Sequence, residues 1–125
     1  MILAALVLAP IAGALAAYLD RSPARRSFWV VSGAAVHLGL GALAWWRRPD
    51  AVGAGWLAFD PLGGLVLTLT SVVFLAVALY SVGHQRHEPV RGGRAHASCL
   101  LVFLGAASLI TLTRHFGLLW VAMEA

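Results

Sequence analysis

The chain has 125 residues, of which 61% are hydrophobic and 11% are charged, whereas soluble domains carry about 25% charged residues. The mean hydropathy of +0.86 therefore excludes an ordinary soluble domain and indicates an integral membrane protein. The net charge of +4 comes from nine arginines, and there is no lysine. The arginines lie between apolar runs and do not form the basic folded face that nucleic-acid binding requires.

The first predicted span covers residues 2–19, an apolar run interrupted by Pro10. Neighbouring helices can satisfy the backbone groups that a proline leaves free inside a membrane. A secretory signal peptide begins with basic residues, but here the arginines at positions 21, 25 and 26 follow the apolar run. We therefore expect a membrane span and not a cleaved signal.

The second and third predicted spans have recognisable ends. The second covers residues 28–46 and carries tryptophans at both ends, as residues at the membrane–water interface often do. The third covers residues 61–83. Asp60 directly precedes it and is expected to cap the helix, with Pro61 in the first turn.

The fourth predicted span covers residues 97–113, and a partial fifth covers residues 116–125. Crossing about 30 Å of hydrocarbon takes roughly 20 residues, so the fifth reaches about halfway. We predict one all-α domain over residues 1–125, a polytopic transmembrane helix bundle of four full spans and a truncated fifth. We also expect the chain to be the N-terminal fragment of a longer subunit.

The loop arginines predict the orientation of the chain. The first and third loops share one side of the membrane and hold six of the nine arginines, while the second and fourth loops hold three. The positive-inside rule places the first and third loops in the cytoplasm and the N-terminus outside. The six are Arg21, Arg25, Arg26, Arg86, Arg91 and Arg94, and the three are Arg47, Arg48 and Arg114.

Glu124 is the strongest candidate functional residue, because an ionisable side chain near mid-membrane usually pairs or carries protons. The alternative is that Glu124 is simply exposed at a frayed end of this chain. His37 lies in the middle of the second span, where it can be a proton-relay member, a haem ligand or a hydrogen-bonding residue between helices. His115, at the mouth of the fifth helix, is expected at the interface, with a relay role as the alternative. The predicted relay residues are thus Glu124, His37 and His115.

The remaining polar residues predict neither a catalytic centre nor a bound cofactor. Hydroxyl groups in the spans are expected to bond to backbone carbonyls or a neighbouring helix, and Cys99 is expected to be small and buried. His84, His87, His96 and Cys99 are zinc-ligand residue types, but neighbouring arginines would repel a cation. No phosphate-binding glycine loop, catalytic triad or iron–sulfur cysteine set is present.

Three motifs carry a resemblance to a known family. They are Phe-Asp-Pro-Leu-Gly at 59–63, Leu-Tyr-Ser at 79–81, and Gly-Leu-Leu-Trp-Val-Ala-Met-Glu-Ala at 117–125. Together they resemble the N-terminal part of the proton-conducting, antiporter-like membrane subunits of respiratory complex I and membrane-bound hydrogenases. The last motif is most similar to the hydrogenase-4 component F branch. The resemblance covers residues 57–125, and the first two spans match in hydropathy only.

The resemblance implies a role for Glu124, which falls on the fifth-helix glutamate that is essential for proton translocation in the family. Family members pair this glutamate with lysines on later helices. This chain has no lysine and none of the later helices. Since family members have about a dozen or more helices, the resemblance implies that the chain is the N-terminal portion of a larger subunit. Its implied partners are other membrane and hydrophilic subunits of a respiratory or hydrogenase complex in the inner (plasma) membrane. These partner subunits would hold the redox centres.

Three hypotheses follow. The first is a portion of a proton-translocating subunit of a hydrogenase-4-like or NADH–quinone oxidoreductase-like complex, with Glu124 as the protonatable relay residue. The second is a small structural or assembly membrane protein without transport activity. The third is a haem-binding helical anchor, which needs a second histidine at the depth of His37.

Overall fold

The computed structural model describes the backbone of residues 1–87 and 93–124, and the side chains of these residues except 84–87. This part of the chain is all-α, as predicted, and contains five helices. They are α1 (Ile2–Leu19), α2 (Pro23–Arg47), α3 (Pro61–His87), α4 (Gly93–Leu112) and α5 (Phe116–Glu124). Four of the described helices, α1 to α4, are long and apolar enough to cross a membrane, which indicates a membrane protein.

The helix bounds agree with the predicted spans at most ends. Helix α1 has the predicted bounds, and α3 begins at Pro61 as predicted. Helix α2 begins at Pro23 instead of residue 28, and α4 begins at Gly93 instead of residue 97. The apolar pattern marks where a helix can enter hydrocarbon, whereas the backbone helix continues beyond that boundary into polar residues.

Asp60 caps α3 as the sequence predicts. Its Oδ2 accepts a hydrogen bond from the Gly63 amide at 3.1 Å, and its carbonyl accepts one from the Gly64 amide at 2.8 Å. Gly63 also marks a close helix approach, because a Cβ built there would lie 2.6 Å from the Thr111 carbonyl oxygen of α4. The start of α3 is thus held both by its own cap and by backbone contact with α4.

The bundle forms by packing α1 against α2 and α4, α2 against α3 and α4, and α3 against α4, while α5 packs on α4. Two apolar clusters make up the core. One contains Ala14, Ala17, Val30, Ala34, Phe74, Ala78, Ala97, Leu101 and Leu104. The other contains Leu3, Leu6, Val7, Ala44, Leu67 and Leu112. Along the helices, a polar layer of three buried residues separates the two clusters.

Candidate functional site

The buried polar layer consists of His37, Ser71 and Ser108, from α2, α3 and α4 respectively. The side chain of His37 is completely buried, with 0% exposure. Its Nδ1 lies 2.9 Å from the Ser71 Oγ, and its Nε2 lies 2.7 Å from the Ser108 Oγ. One imidazole ring therefore joins three helices through both of its nitrogens.

Each serine also bonds to its own helix. The Ser71 Oγ lies 2.7 Å from the Leu67 carbonyl oxygen, and the Ser108 Oγ lies 2.7 Å from the Leu104 carbonyl oxygen. The sequence predicts such bonds for hydroxyl groups in the spans, and the structure confirms them at these two residues. The partnership of both serines with His37 was not predicted.

The helical period explains why these three polar residues are buried. On α2, His37 takes its place in the buried row Val30, Ala34, His37, Gly41 and Ala44. On α3 and α4, Ser71 and Ser108 likewise follow Leu67 and Leu104 by one turn on the inward face. Each polar side chain occupies a core position, so it must find its hydrogen-bond partners inside the bundle.

Glu124 lies in a different environment. Its side chain is exposed near the end of α5, on the same outward face as Phe116, Trp120 and Met123. Ala122 is the buried residue of α5. Glu124 has no hydrogen-bond or ion-pair partner among the residues whose side chains are described, 1–83 and 93–124.

The depth of Glu124 follows from the return of α5 along α4. Ala122 and Met123 line the same groove as Val102, Phe103 and Ala106, which lie in the middle of α4. From Phe116, Glu124 lies about 12 Å further along the helix axis at 1.5 Å per residue. The carboxyl group is therefore level with the central part of the bundle, although it is outside the polar layer of His37.

His115 lies at one end of the bundle and is exposed. Its ring packs on Trp56 with a centroid distance of 4.9 Å and an interplanar angle of 35°. Trp56 belongs to a tight hairpin in which the Val52 amide donates to the Leu57 carbonyl at 2.8 Å and the Leu57 amide donates back at 3.1 Å. The Ala58 amide fastens this hairpin to the end of α4 by donating to Leu112 at 2.9 Å.

Sequence reasoning missed this hairpin, although a signal was present. The run Gly53-Ala54-Gly55 has positive φ at all three residues, from 56° to 89°. Glycines so closely spaced mark a turn.

The three predicted relay residues are separated in the described part of the chain: His37 is in the core, Glu124 is on the outer face of α5, and His115 is at the bundle end.

Asp20 forms a second polar cluster, between α1 and α2, that was not predicted. Its carboxylate accepts hydrogen bonds from the Ser22 amide at 3.1 Å, the Arg25 Nε at 2.9 Å and the Trp29 indole at 3.4 Å. Desolvation alone would raise the pKa of Asp20, but the Ser22, Trp29 and Arg25 contacts together hold that pKa below its ordinary value. This cluster stabilises the turn between the first two helices.

The prediction of a buried Cys99 is wrong, because Cys99 is exposed on the outer surface of the bundle. Its position falls between the inward residues Ala97 and Leu101 of α4, and an apolar run in a membrane helix covers lipid-facing positions as well as core positions.

The possible zinc set includes His84 and His87, whose side chains lie outside the described residues. Among the described residues, no cluster of histidine, cysteine or acidic residues has the makings of a metal site.

Comparisons with protein-family models, with curated proteins and with solved structures found no match to this chain.

Proposed function

We propose that this chain is the N-terminal portion of a proton-translocating membrane subunit in a hydrogenase-4-like or complex I-like assembly. Glu124 takes up and releases a proton in this proposal, and partner subunits hold the redox centres. The observation that supports it most is the position of Glu124, a carboxyl group level with the middle of α4 and without a polar partner in the described residues. The resemblance of residues 117–125 to the antiporter-like subunits supports the same role.

A charge on Glu124 would be costly in hydrocarbon. An acidic side chain at the centre of a membrane helix costs roughly 2.5–3.5 kcal/mol on insertion scales. A carboxyl group in such surroundings favours its neutral form unless a partner stabilises the charge. A partner helix that presents a cation to the outward face of α5 would compensate the charge of the Glu124 carboxylate.

The proposal includes the cell's inner (plasma) membrane as location and an external N-terminus. The arginine bias between the two sides supports this orientation. Of the six arginines assigned to the cytoplasmic side, Arg86 and Arg91 lie outside the residues whose side chains are described. Arg21, Arg25 and Arg26 lie beside the turn between α1 and α2, and Arg94 lies at the start of α4.

The test is Glu124→Gln in the complete membrane complex. We expect this variant to assemble normally and to lose substrate-driven proton uptake into inverted membrane vesicles, because an amide cannot carry the proton. Asp50→Asn is the matched control, since Asp50 is an exposed carboxylate in the loop between α2 and α3. Proton pumping by Glu124→Gln at the wild-type rate would contradict the proposal.

A structural or assembly role without transport is the second candidate, and the His37 layer favours it. Every buried side-chain nitrogen and oxygen of the described residues has a hydrogen-bond partner, as a purely structural junction requires. In that case His37 variants disturb assembly and Glu124→Gln changes nothing. The haem-anchor hypothesis is disfavoured, because both ring nitrogens of His37 bond to serines and neither is free for iron.

A further inference from the structure

We infer that His37, Ser71 and Ser108 form a proton-operated hydrogen-bond switch between α2 and α4. In its resting state the ring is neutral, carries its proton on Nδ1 and accepts a hydrogen bond from Ser108 at Nε2. Protonation of Nε2 turns the Ser108 hydroxyl back onto the Leu104 carbonyl. The inference rests on the proposed function, which supplies the proton, but the hydrogen bonds can be tested without any pumping assay.

The first step is a count of hydrogens. A serine hydroxyl has one proton to donate, yet Ser71 and Ser108 each lie within hydrogen-bond distance of two acceptors, the ring and their own helix carbonyl. If both hydroxyls donate to their carbonyls, both ring nitrogens must be N–H donors, and His37 is a cation. If His37 is neutral, one ring nitrogen carries no hydrogen, and the serine beside it must donate its hydrogen bond to that nitrogen and not to its own helix carbonyl.

The second step is the charge around the ring. Helices α1 to α4 contain no aspartate and no glutamate, so no carboxylate from these helices can stabilise a buried imidazolium. The titratable side chains described on these helices are exposed or half-buried, away from the polar layer. They are Tyr18 on α1, Arg25, Arg26 and Arg47 on α2, Tyr80 on α3, and Arg94, His96 and Cys99 on α4. A buried charge without a partner is strongly disfavoured, so the resting ring is neutral.

The third step assigns the donor. To an oxygen acceptor, hydrogen bonds from a hydroxyl are typically about 2.7–2.8 Å long and those from an N–H group about 2.9–3.0 Å, so a hydroxyl donor gives the shorter contact. The 2.7 Å contact of Nε2 with Ser108 fits a hydroxyl donor, and the 2.9 Å contact of Nδ1 with Ser71 fits a ring N–H donor. Ser71 then donates to the Leu67 carbonyl. All the hydrogen bonds therefore run in one direction, from Ser108 through His37 and Ser71 to Leu67.

Protonation reverses the Ser108 end of this chain and leaves the other end unchanged. The added proton forms an N–H bond at Nε2, and the Ser108 hydroxyl, still carrying its own proton, rotates onto the Leu104 carbonyl at 2.7 Å. In its bond with the ring, Ser108 thereby changes from hydrogen-bond donor to acceptor, while it donates its own hydrogen to Leu104. Ser108 and Leu104 lie on the inward side of α4, whereas Val102, Phe103 and Ala106 on the same stretch of the helix share an outer groove with α5.

The test reads the ring nitrogens by ¹⁵N solid-state NMR of this 125-residue chain, labelled at its five histidines and reconstituted in phosphatidylcholine–phosphatidylglycerol bilayers. The signals lost in His37→Gln identify His37. At neutral pH we expect a protonated Nδ1 and an unprotonated Nε2 shifted by an accepted hydrogen bond. After acidification we expect both nitrogens to be protonated.

Four variants locate the donor. Ser108→Ala should abolish the hydrogen-bond shift of Nε2, and Ser108→Thr should retain it because the hydroxyl remains. Ser71→Ala should change the Nδ1 signal and leave Nε2 bonded. Ser81→Ala is the matched control, because the Ser81 hydroxyl donates to Val77 on the exposed face of α3 at 2.8 Å and does not contact His37.

A neutral ring protonated on Nε2, a ring already cationic at neutral pH, a ring that stays neutral after acidification, or an unchanged Nε2 signal in Ser108→Ala would each overturn the switch. The wild-type tautomer is decisive even if Ser108→Ala does not fold. Failure of the proposed function gives a different result: Glu124→Gln pumps normally while the His37 spectrum is as expected. Failure of the switch alone gives the wrong tautomer in a protein whose pumping depends on Glu124.

Discussion

His37 and Glu124 are protonatable side chains at the interior levels of the same helix bundle, yet their surroundings differ in every respect. His37 is fully buried and bonded through both ring nitrogens. Glu124 is on the outward face of a helix that packs on α4, with no polar partner in the described residues. His37 is therefore part of the bundle core, whereas the Glu124 side chain faces outward from the described helices.

The largest expected difference between the two positions is in stability. His37→Ala leaves a cavity at a three-helix junction and should lower the free energy of unfolding by about 2–4 kcal/mol. Glu124→Ala, at an exposed position, should change it by no more than about 0.5 kcal/mol. Denaturant unfolding in mixed micelles, followed by circular dichroism, measures both. Equal losses in the two variants would remove the distinction between the core site and the outer face.

The α3–α4 contact that brings Ser71 and Ser108 together is sensitive to backbone spacing. Gly63→Ala places a Cβ 2.6 Å from the Thr111 carbonyl oxygen, and overpacking of this kind should cost about 1–3 kcal/mol. Gly39→Ala is the matched control, because a Cβ there meets no atom within 4 Å. The same unfolding assay applies, and a stable Gly63→Ala protein would show that α3 and α4 can separate freely.

Removing one hydroxyl from the polar layer should have a smaller effect. Ser108→Ala deletes the partner of His37 Nε2 and should cost about 1 kcal/mol, the usual net value of a hydrogen bond. Ser81→Ala should be close to neutral, since its hydroxyl is exposed and bonds within its own helix. If the two variants are equally stable, the polar layer does not stabilise the bundle.

The smallest effect concerns Asp20, which is paired with Arg25, in contrast to Glu124, which has no polar partner among the described residues. The pKa of Asp20 is lowered in the folded protein, so its contribution to stability is fully present above the ordinary aspartate pKa. That contribution is lost as the pH falls through the lowered value. Unfolding of wild type and Asp20→Asn at several acidic pH values should show a stability difference that shrinks as the solution is acidified. A difference independent of pH would exclude this ionic contribution.

The sequence by itself determined the helical class, the four long apolar helices, and the start of α3 at Asp60 and Pro61. These features depend on local composition and on groups within one turn of each other, such as the Asp60 carboxylate and the Gly63 amide. It also placed His37 in the middle of the second span. Its alternatives of relay, ligand and helix–helix hydrogen bond could not be separated from the pattern alone.

Only the tertiary structure decided which residues meet. The bonds from His37 to Ser71 and Ser108 span separations of 34 and 71 residues, and no periodicity specifies a contact between helices. The exposure of Cys99 has the same origin, because in an apolar membrane helix hydrophobicity no longer distinguishes the core face from the lipid face. Packing against neighbouring helices makes that distinction, and it placed His37 inside the bundle and Glu124 on its outer face.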